Sequence, residues 1–338
     1  PSLSVKFWII YLPGGGWCSS IYDCFQRSLT DLGSSHIAKT SIPLDGILSN
    51  SCVTNPDFCY WNVIVLHYCD GSSFLGNESR VRNYESQPLY LRGAVIFETL
   101  IEYLKEATEL GDAEQIVLAG TSAGGIGALI HADHLRTKLP QSVRTLHVLV
   151  DAAMFVNTPD VYGQLSLAQL FKSVYQFHSI KASASIQECT QTQNQTDEWR
   201  CLLPEVYNKF VFTPAFFMNS IYDSWQRSHI FKIPCLATDC PHKNLNTVYA
   251  ARDRIRELAR NITASKKNGV FLTWCPLHTI LIRPWFFASE LGNPSVLSSL
   301  ISWLQHDLSD SAGYRDVIDL RSAVEECKSI YLSQTIIQ

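Results

Sequence analysis

The chain has 338 residues, of which 46% are hydrophobic and 17% charged, and its formal net charge at pH 7 is −4. This composition excludes a disordered chain, and because there is no basic block we expect no nucleic-acid partner. No apolar run reaches the length of a membrane span, so we expect no integral membrane segment. The length suits a single α/β enzyme domain with insertions, and we predict one domain over residues 1–338.

Apolar runs and turn signals predict strands and helices that alternate along the chain. Strands are predicted at 5–12, 62–67, 116–119, 145–150, 215–220 and, as the last strand, 270–274. Helices are predicted over 91–110, 126–139, 246–264 and, as the terminal helix, 294–308. Residues 18–62 are predicted to be mostly irregular, and about 157–204 to be an insertion of helices and a polar loop. The alternation indicates a mostly parallel sheet with helices on both faces.

The chain contains eleven cysteines, which is many for a cytosolic enzyme. Their spacing is irregular and lacks the paired C-x-x-C signature of a zinc site. We therefore expect disulfides formed in an oxidising compartment, and neither a metal nor a cofactor. The odd count leaves at least one thiol outside these disulfides, and the spacing leaves the pairing open. The cysteines are Cys18, Cys24, Cys52, Cys59, Cys69, Cys189, Cys201, Cys235, Cys240, Cys275 and Cys327.

Three N-x-S/T sequons agree with an extracellular protein. They begin at Asn77, Asn194 and Asn261, which are candidate glycosylation sites. The sequence begins at Pro1 with no signal peptide and enters a predicted strand within a few residues. We expect a secreted protein whose targeting segment lies outside this sequence, and whether a first strand also lies there stays open.

The segment from Gly120 to Gly124 has the pattern G-x-S-x-G, with Ser122 at its centre, between a predicted strand and a predicted helix. A sharp turn from strand to helix exposes the serine Oγ, and a glycine two positions to either side lets neighbouring backbone come close. The pattern alone is weak, but its place between strand and helix predicts a nucleophilic serine in an α/β-hydrolase-like fold. A plain glycine-rich turn is the alternative.

A nucleophilic serine needs a base to accept its proton, and the base needs an acid to orient it. In α/β hydrolases these residues follow in the order serine, acid, histidine, each at the end of a strand. Asp223 follows the strand at 215–220, and His278 follows the strand at 270–274. We therefore predict that Ser122, His278 and Asp223 form a catalytic triad.

Other assignments stay open for the acid and the base. Asp151 also ends a predicted strand and is the rival acid, while Asp223 could instead cap a helix that begins after it. His278 could be a structural histidine, and His67 comes before the nucleophile, which is out of order for this fold. Two further histidines on the helix after the nucleophile are expected to pack or to face solvent: His131 and His134.

The negative charge that develops on the carbonyl oxygen of a substrate also needs hydrogen-bond donors. In this fold one donor is the backbone N–H of the residue after the nucleophile, here Ala123, and others come from a glycine loop after an earlier strand. The run Gly14-Gly15-Gly16-Trp17 fits that loop. A flexible turn is the alternative, although a turn rarely needs three consecutive glycines.

At this point the motifs resemble a known family, the pectin acetylesterases and the related Notum carboxylesterases. They occur in the family's order along the chain, and their residues are more similar to those of the plant pectin acetylesterases. The matching motifs are GGGWC at 14–18, GILSN at 46–50, NPDF at 55–58, WN at 61–62, YCDGSSF at 68–74, SAGG at 122–125 and YDSWQ at 222–226.

The resemblance implies a secreted serine esterase with an α/β-hydrolase-like fold. The family's triad and oxyanion-hole residues fall on Ser122, Asp223, His278, Gly15, Gly16 and Ala123. Plant members usually carry a cysteine where Thr121 and Thr279 stand in this chain. Two family cysteines are therefore missing, which bears on the odd cysteine count.

We predict that the chain hydrolyses esters through an acyl-enzyme and removes a short acyl group from a polysaccharide such as pectin. The first alternative is a Notum-like esterase that removes a fatty acyl (palmitoleoyl) chain from a protein. That reaction needs a deep apolar pocket, for which Trp17, Phe155, Phe216 and Phe217 are candidates, although each also fits a packed core. The alternative of another class is a catalytically silent binding protein. The acyl-chain length, natural substrate and oligomeric state stay open.

Overall fold

A computed structural model describes residues 6–39, 41–235, 240–287, 291, 294–306, 311–312 and 320–328. The strands are β1 (Phe7–Leu12), β2 (Asn62–Val65), β3 (Arg82–Tyr84), β4 (Gln87–Leu89), β5 (Gln115–Thr121), β6 (Thr145–Asp151), β7 (Ala215–Ser220), β8 (Gly269–Thr273) and β9 (Ser311–Ala312). The α-helices are α1 (Ile21–Ser28), α2 (Gly93–Ala107), α3 (Ala123–Lys138), α4 (Ser166–Phe177), α5 (Gln187–Thr190), α6 (Pro204–Tyr207), α7 (His242–Thr263), α8 (Val296–His306) and α9 (Leu320–Glu326).

Seven of these strands form one sheet in the order β2-β1-β5-β6-β7-β8-β9, and every pairing in it is parallel. Its central strands are apolar and buried along nearly their whole length, as in parallel sheets that helices cover. The prediction of a mostly parallel sheet is confirmed. The chain goes from β1 to β2 on one side and to β5 on the other, so the strand order reverses between β1 and β5. Open α/β sheets bind ligands at the carboxyl ends of their strands at such a reversal.

Helices cover the apolar strands and complete the core. Helix α3 packs against β1, β5 and β6, and α8 packs against β7 and β8. The ring of Trp303, on α8, lies 5.5 Å from the ring of Phe216 and 5.1 Å from that of His147. Phe216 and Phe217, on β7, are both fully buried. These two phenylalanines therefore belong to the core and do not line an open pocket.

Helix α1 lies in the stretch 18–62 that was predicted to be mostly irregular. Its start is capped from both sides: Ser20 Oγ accepts a hydrogen bond from Asp23 N (3.2 Å), and Asp23 Oδ2 accepts one from Ser19 N (2.8 Å). These bonds satisfy N–H groups that have no partner within the helix. The serine three residues before an acid is a helix-start signal, so this helix could have been predicted.

Three further elements differ from the prediction. Strands β3 and β4 form an antiparallel hairpin that was not predicted. Strand β9 follows β8, and α9 follows α8, so the predictions of 270–274 as the last strand and 294–308 as the terminal helix are wrong. Strand β9 has only two residues, too few for any periodic signal. The predicted ends at 5, 307 and 308 lie outside the described residues.

Between β6 and β7 the predicted insertion at about 157–204 contains α4, α5 and several 3₁₀ turns. The division into one domain with this insertion stays a prediction. Among the described residues, no helix combines the length and the apolar character needed to cross a membrane.

Five disulfides occur among the described residues, and Cys69 is a free thiol. The pairs are Cys18–Cys24, Cys52–Cys59, Cys189–Cys201, Cys235–Cys240 and Cys275–Cys327. The expectation of disulfides with at least one thiol outside them is confirmed. The sulfurs of Cys18 and Cys24 lie near His178, a grouping that could suggest a metal site. Cysteine binds a metal as a thiolate, however, and these two sulfurs are joined in a disulfide. His178 Nε2 instead donates to the carbonyl oxygen of Cys18 (2.8 Å).

Candidate active site

Ser122 occupies a strained turn between β5 and α3. Its backbone has φ 55° and ψ −123°, a conformation that non-glycine residues rarely adopt. The neighbouring backbone is too close for side chains at the two flanking glycines. A Cβ on Gly124 would lie 2.0 Å from the carbonyl oxygen of Leu12, and one on Gly120 would lie 2.2 Å from that of Gly124. The glycines thus permit the turn that puts the serine hydroxyl at the carboxyl edge of the sheet.

The structure brings Ser122, His278 and Asp223 together in one line of hydrogen bonds. His278 Nε2 lies 2.9 Å from Ser122 Oγ, and His278 Nδ1 lies 2.9 Å from Asp223 Oδ2. Burial lowers the pKa of the His278 imidazole, but the charge and hydrogen bond of Asp223, with a smaller contribution from the charge of Asp151, raise this pKa above its ordinary value. A neutral His278 in this position can accept a proton from the serine, and the carboxylate stabilises the imidazolium that results.

Asp223 also caps the helical turn that follows it. Its Oδ1 accepts a hydrogen bond from Gln226 N (2.8 Å), while the carboxylate binds His278 through Oδ2. The following Gln226–Ile230 segment is a π-helical turn, a distortion often found at functional sites. The two readings left open by the sequence, cap and acid, are therefore geometrically compatible in the same side chain. The cap fixes the carboxylate so that it can face the imidazole.

Asp151, the rival acid, does not contact the His278 ring through a hydrogen bond in the described structure. Its fully buried Oδ2 accepts from the N–H groups of Ile280 (2.8 Å) and Leu281 (2.9 Å), and Oδ1 has no hydrogen-bond partner among the described residues. Burial raises the pKa of this carboxyl to about 7, even though the two N–H groups lower it. Asp151 thus anchors the backbone just after His278.

The two histidines on α3, His131 and His134, contact groups other than the serine hydroxyl. His131, on α3, is fully buried; its Nε2 donates to the carbonyl oxygen of Phe74 and its Nδ1 accepts from Ser185 Oγ, each at 2.7 Å. Burial lowers its pKa to about 4, so it stays neutral. His134 is partly exposed and lies 3.0 Å from Glu98.

The candidate oxyanion donors lie beside the serine. Ala123 is the first residue of α3, where an N–H has no partner within the helix. Gly15 and Gly16 follow β1, and their N–H groups donate no hydrogen bond to another described residue. A Cβ on Gly14, which precedes Gly15 in the loop, would lie 3.5 Å from Ser122 Oγ, so the loop closely approaches the serine.

Trp17 and Phe155 lie in a cluster of four aromatic rings. The Trp17 ring contacts those of Phe155, Phe171 and Trp225 edge to face, with centroids 5.1 to 5.7 Å apart. Phe155 and Phe171 are fully buried, and Trp225 stacks on the His278 ring at 5.8 Å. The four rings contact one another, so this cluster forms an aromatic wall beside the triad.

An open groove of about 530 Å³ borders the glycine loop at Gly14. It runs along the carboxyl ends of β1 and β2, from Gly14 to His67, and is also lined by residues within 31–39 and 41–48. Its lining mixes apolar side chains, such as Leu44, with charged ones, such as Asp45. The sequence did not indicate this groove, since most of its lining comes from the stretch predicted to be irregular.

Several residues around the site were not assigned a function from sequence. Tyr68, Ser73 and Trp225 lie in motifs that marked the resemblance, and these motifs were their only signal. Trp225 stacks on His278, while Tyr68 and Ser73 contact the glycine loop. Arg27 donates to the carbonyl oxygen of Gly15 (2.7 Å) and had no signal at all.

The fold and this arrangement of side chains define the chain as an α/β-hydrolase-like carboxylic ester hydrolase. More narrowly, it belongs to the pectinacetylesterase family, whose family model matches residues 2–326. The resemblance seen in the motifs, the enzyme class and the fold class are thereby confirmed.

The chain is similar both to pectin acetylesterases and to Notum carboxylesterases. Pectin acetylesterase 5 of Arabidopsis thaliana is 30% identical over 314 residues, which cover 88% of this chain and 71% of that protein. The palmitoleoyl-protein carboxylesterase NOTUM of Schmidtea mediterranea is 26% identical over 310 residues, covering 88% and 56%. The solved structure of the Wnt deacylase Notum from Drosophila has the same fold, with a TM-score of 0.76 at 21% identity, covering 94% of this chain and 90% of that one.

Proposed function

We propose that the chain is a secreted serine esterase that removes acetyl groups from a polysaccharide such as pectin through a Ser122–His278–Asp223 triad. The observation that carries the proposal is the pair of 2.9 Å distances that join the serine hydroxyl to the imidazole and the imidazole to the carboxylate. The strained backbone of Ser122 supports the same assignment, because such strain persists mainly where function requires it.

The reaction has two halves. Ser122 Oγ attacks the ester carbonyl carbon while its proton passes to His278 Nε2, and the carbonyl oxygen becomes an oxyanion held by the N–H groups of Gly15, Gly16 and Ala123. The intermediate collapses, the bond to the alcohol breaks, and His278 gives its proton to the leaving oxygen. Water then attacks the acyl-enzyme, its proton goes to His278 and on to Ser122 Oγ, and the free acid leaves. Throughout, Asp223 stabilises the charged imidazole.

A short acyl group fits the site better than a long one. The wall formed by Trp17, Phe155, Phe171 and Trp225 is packed ring against ring, so a long chain would have to displace these side chains. The names of the Arabidopsis relatives, pectin acetylesterases, point the same way. We place the alcohol part of the ester, a sugar, in the groove next to Gly14, whose mixed polar and apolar lining suits a carbohydrate.

A panel of p-nitrophenyl esters from acetyl to palmitoyl tests both the chemistry and the chain length. We expect kcat/KM to be highest for acetyl and to fall with length, and acetate to be released from acetylated pectin. Ser122→Ala should remove at least about 10⁴ of kcat while the protein stays folded. Highest activity on long chains would favour a fatty-acyl protein esterase, and no turnover by a folded wild-type protein would favour a silent binding protein.

Secretion is supported by the five disulfides, which form in oxidising compartments. Of the three sequons, Asn194 and Asn261 are exposed, whereas Asn77 is half-buried and its side-chain amide donates to the carbonyl oxygen of Ala182 (2.7 Å). We therefore expect glycans at Asn194 and Asn261 before Asn77. Peptide mapping after enzymatic removal of N-glycans from protein made in a secretory host tests this, and unmodified asparagines at all three positions would count against it.

A further inference from the structure

Within the glycine loop, Gly14 and Gly15 have close neighbours, but Gly16 lies in open space. Gly16 has φ +65°, and the space where a Cβ would point holds no atom within 4 Å. A glycine in such a place can adopt many conformations, because neither a side chain nor a close neighbour restricts it. An oxyanion donor, however, must point at one position before the reaction begins. Since no neighbour restrains Gly16 at its Cβ position, hydrogen bonds to the adjacent carbonyl oxygens are what can fix the peptide groups on either side of it.

Two side chains hold the carbonyl oxygens on both sides of Gly16. Arg27 Nη1 donates to the carbonyl oxygen of Gly15 (2.7 Å), and the Tyr68 hydroxyl donates to that of Gly16 (2.7 Å). The carbonyl of Gly15 and the N–H of Gly16 belong to one planar trans peptide group, in which they point in opposite directions. Fixing the Gly15 carbonyl on Arg27 therefore fixes the direction of the Gly16 N–H, and Tyr68 fixes the next peptide group.

The guanidinium of Arg27 makes few other polar contacts. Its Nε and Nη2 are buried and have no hydrogen-bond partner among the described residues, while the group lies 4.8 Å from the centre of the Tyr68 ring. Burial raises the pKa of the Tyr68 hydroxyl well above its usual range, so this hydroxyl stays protonated and remains a donor. Tyr68 Oη in turn accepts from Ser73 N (2.9 Å), and Ser73 Oγ accepts from Trp17 Nε1 (2.8 Å).

Helix α1 is itself fastened to the loop that it supports. The disulfide Cys18–Cys24 joins its first turn to the residue after Trp17, and Cys18 N donates to the carbonyl oxygen of Gly71 (3.1 Å). Arg27 lies in the last turn of this helix. The Arg27 side chain therefore extends from a short helix that is capped and cross-linked. Such a helix suits a residue that must hold the Gly15 carbonyl in place.

We propose that Arg27 is a positioning residue for the oxyanion hole: it orients the Gly16 N–H through the Gly15 carbonyl, and Tyr68 supports it. This inference rests on the proposed function, because it assigns a purpose to a loop that the esterase mechanism uses. Arg27 touches no reacting atom in this scheme. Its removal should weaken binding of the tetrahedral transition state and leave binding of the ground-state ester nearly unchanged.

The test compares Arg27→Met, which keeps the length of the side chain without donors, with Arg27→Lys, which keeps a charged donor. With p-nitrophenyl acetate we expect Arg27→Met to lower kcat by about 10- to 100-fold, somewhat less than the loss of a whole oxyanion donor, with KM within about threefold. Arg27→Lys should recover at least part of that loss. Both acylation and deacylation pass through an oxyanion, so kcat reports on the hole whichever step limits it.

Phenylboronic acid, which forms a tetrahedral adduct with a nucleophilic serine, gives a readout without turnover. Its Ki should rise in Arg27→Met by about the same factor as kcat/KM falls. Tyr68→Phe is the milder variant and should lower kcat by about tenfold with a nearly unchanged Tm. Tyr207→Phe is the matched control, because it removes a buried hydroxyl that donates to the carbonyl oxygen of Ile130 (3.0 Å) elsewhere. It should change Tm and leave kcat within twofold.

The outcomes separate this inference from the proposed function. If the wild type hydrolyses acetyl esters but folded Arg27→Met and Tyr68→Phe keep kcat and the boronic acid Ki within twofold, the positioning assignment is wrong and the esterase assignment stands. Equal losses in Arg27→Met and Arg27→Lys that follow only the fall in Tm would also overturn it, since that pattern indicates packing. A folded wild type with neither turnover nor a boronic acid adduct would remove both proposals.

Discussion

At the scale of single residues, Asp223 and Asp151 are two carboxylates at the ends of neighbouring strands. Their roles differ because their hydrogen-bond partners differ. Both are almost completely buried, but Asp223 is hydrogen-bonded to the imidazole of His278, whereas the hydrogen bonds to the Asp151 side chain from described residues come from backbone N–H groups. Chain order at the strand ends was enough to predict which one lies nearer the histidine. It was not enough to predict that Asp151 anchors Ile280 and Leu281, because that contact depends on how the loop after β8 folds back.

Asp223→Asn should lower kcat by about 10⁴, because an amide cannot stabilise the imidazolium. The pH dependence gives a second check with a definite sign. Asp223 raises the pKa of His278 and burial lowers it, so without the carboxylate that pKa should fall. Since His278 must be neutral to act as a base, the acid limb of the kcat/KM profile should move to lower pH. An unmoved limb, or a greater loss in Asp151→Asn, would contradict the assignment of the acid.

Asp151→Asn should change the pH dependence of stability more than the activity. The pKa of Asp151 is about 7 in the folded protein against an ordinary 3.8, so the wild type loses stability as pH rises from about 4 to 7. Asparagine does not titrate, and its Oδ1 can still accept from Ile280 N and Leu281 N. The Tm of the variant relative to wild type should therefore increase across this range, with kcat within about tenfold. Parallel Tm curves for the two proteins would show that Asp151 is ionised throughout.

At the scale of elements, the strand–turn–helix around Ser122 could be predicted because its signal is local: an apolar run, a glycine pattern and a helical period are adjacent in sequence. The same holds for β7, predicted and observed at 215–220. The support beneath the glycine loop could not be predicted, because Arg27 reaches Gly15 only once α1 has folded against the loop. The hairpin of β3 and β4 was missed because its strands have three residues each.

Gly16→Ala tests the glycine loop as an element of the mechanism. An alanine at φ +65° costs about 1–2 kcal/mol of folding stability, although no atom lies close enough to clash with its Cβ. If the Gly16 N–H is an oxyanion donor, the shift of this peptide should also cost roughly 10² in kcat. Gly163→Ala is the control, since Gly163 has φ +79° and equally open surroundings but lies in the insertion. It should cost similar stability at normal kcat; equal kcat in both variants would remove the loop from the mechanism.

At the scale of the whole molecule, the composition already indicated a cross-linked protein, but only the folded chain shows which cysteines meet. Four of the five disulfides close short loops, with sequence separations from 5 to 12, whereas Cys275–Cys327 spans 52 residues. Spacing could not reveal this pair, because its partners approach only when α9 docks beside the end of β8. Cys69 is left free, and Thr121 and Thr279 stand where plant members of the family usually carry cysteines.

The long-range disulfide should contribute more to stability than a local one. A cross-link restricts the unfolded chain more strongly when the loop it closes is longer, which gives about 4 kcal/mol for Cys275–Cys327 and about 2 kcal/mol for Cys52–Cys59, whose separation is 7 residues. Replacing each pair by alanines and measuring unfolding in urea separates the two effects. We expect the larger loss for Cys275 and Cys327, with kcat on acetyl esters kept below the new Tm, because the hydrogen bonds that join the triad do not involve these sulfurs. A smaller loss than in the Cys52 and Cys59 variant would mean that α9 stays docked without the bond, and that packing of its buried side chains holds this helix in place.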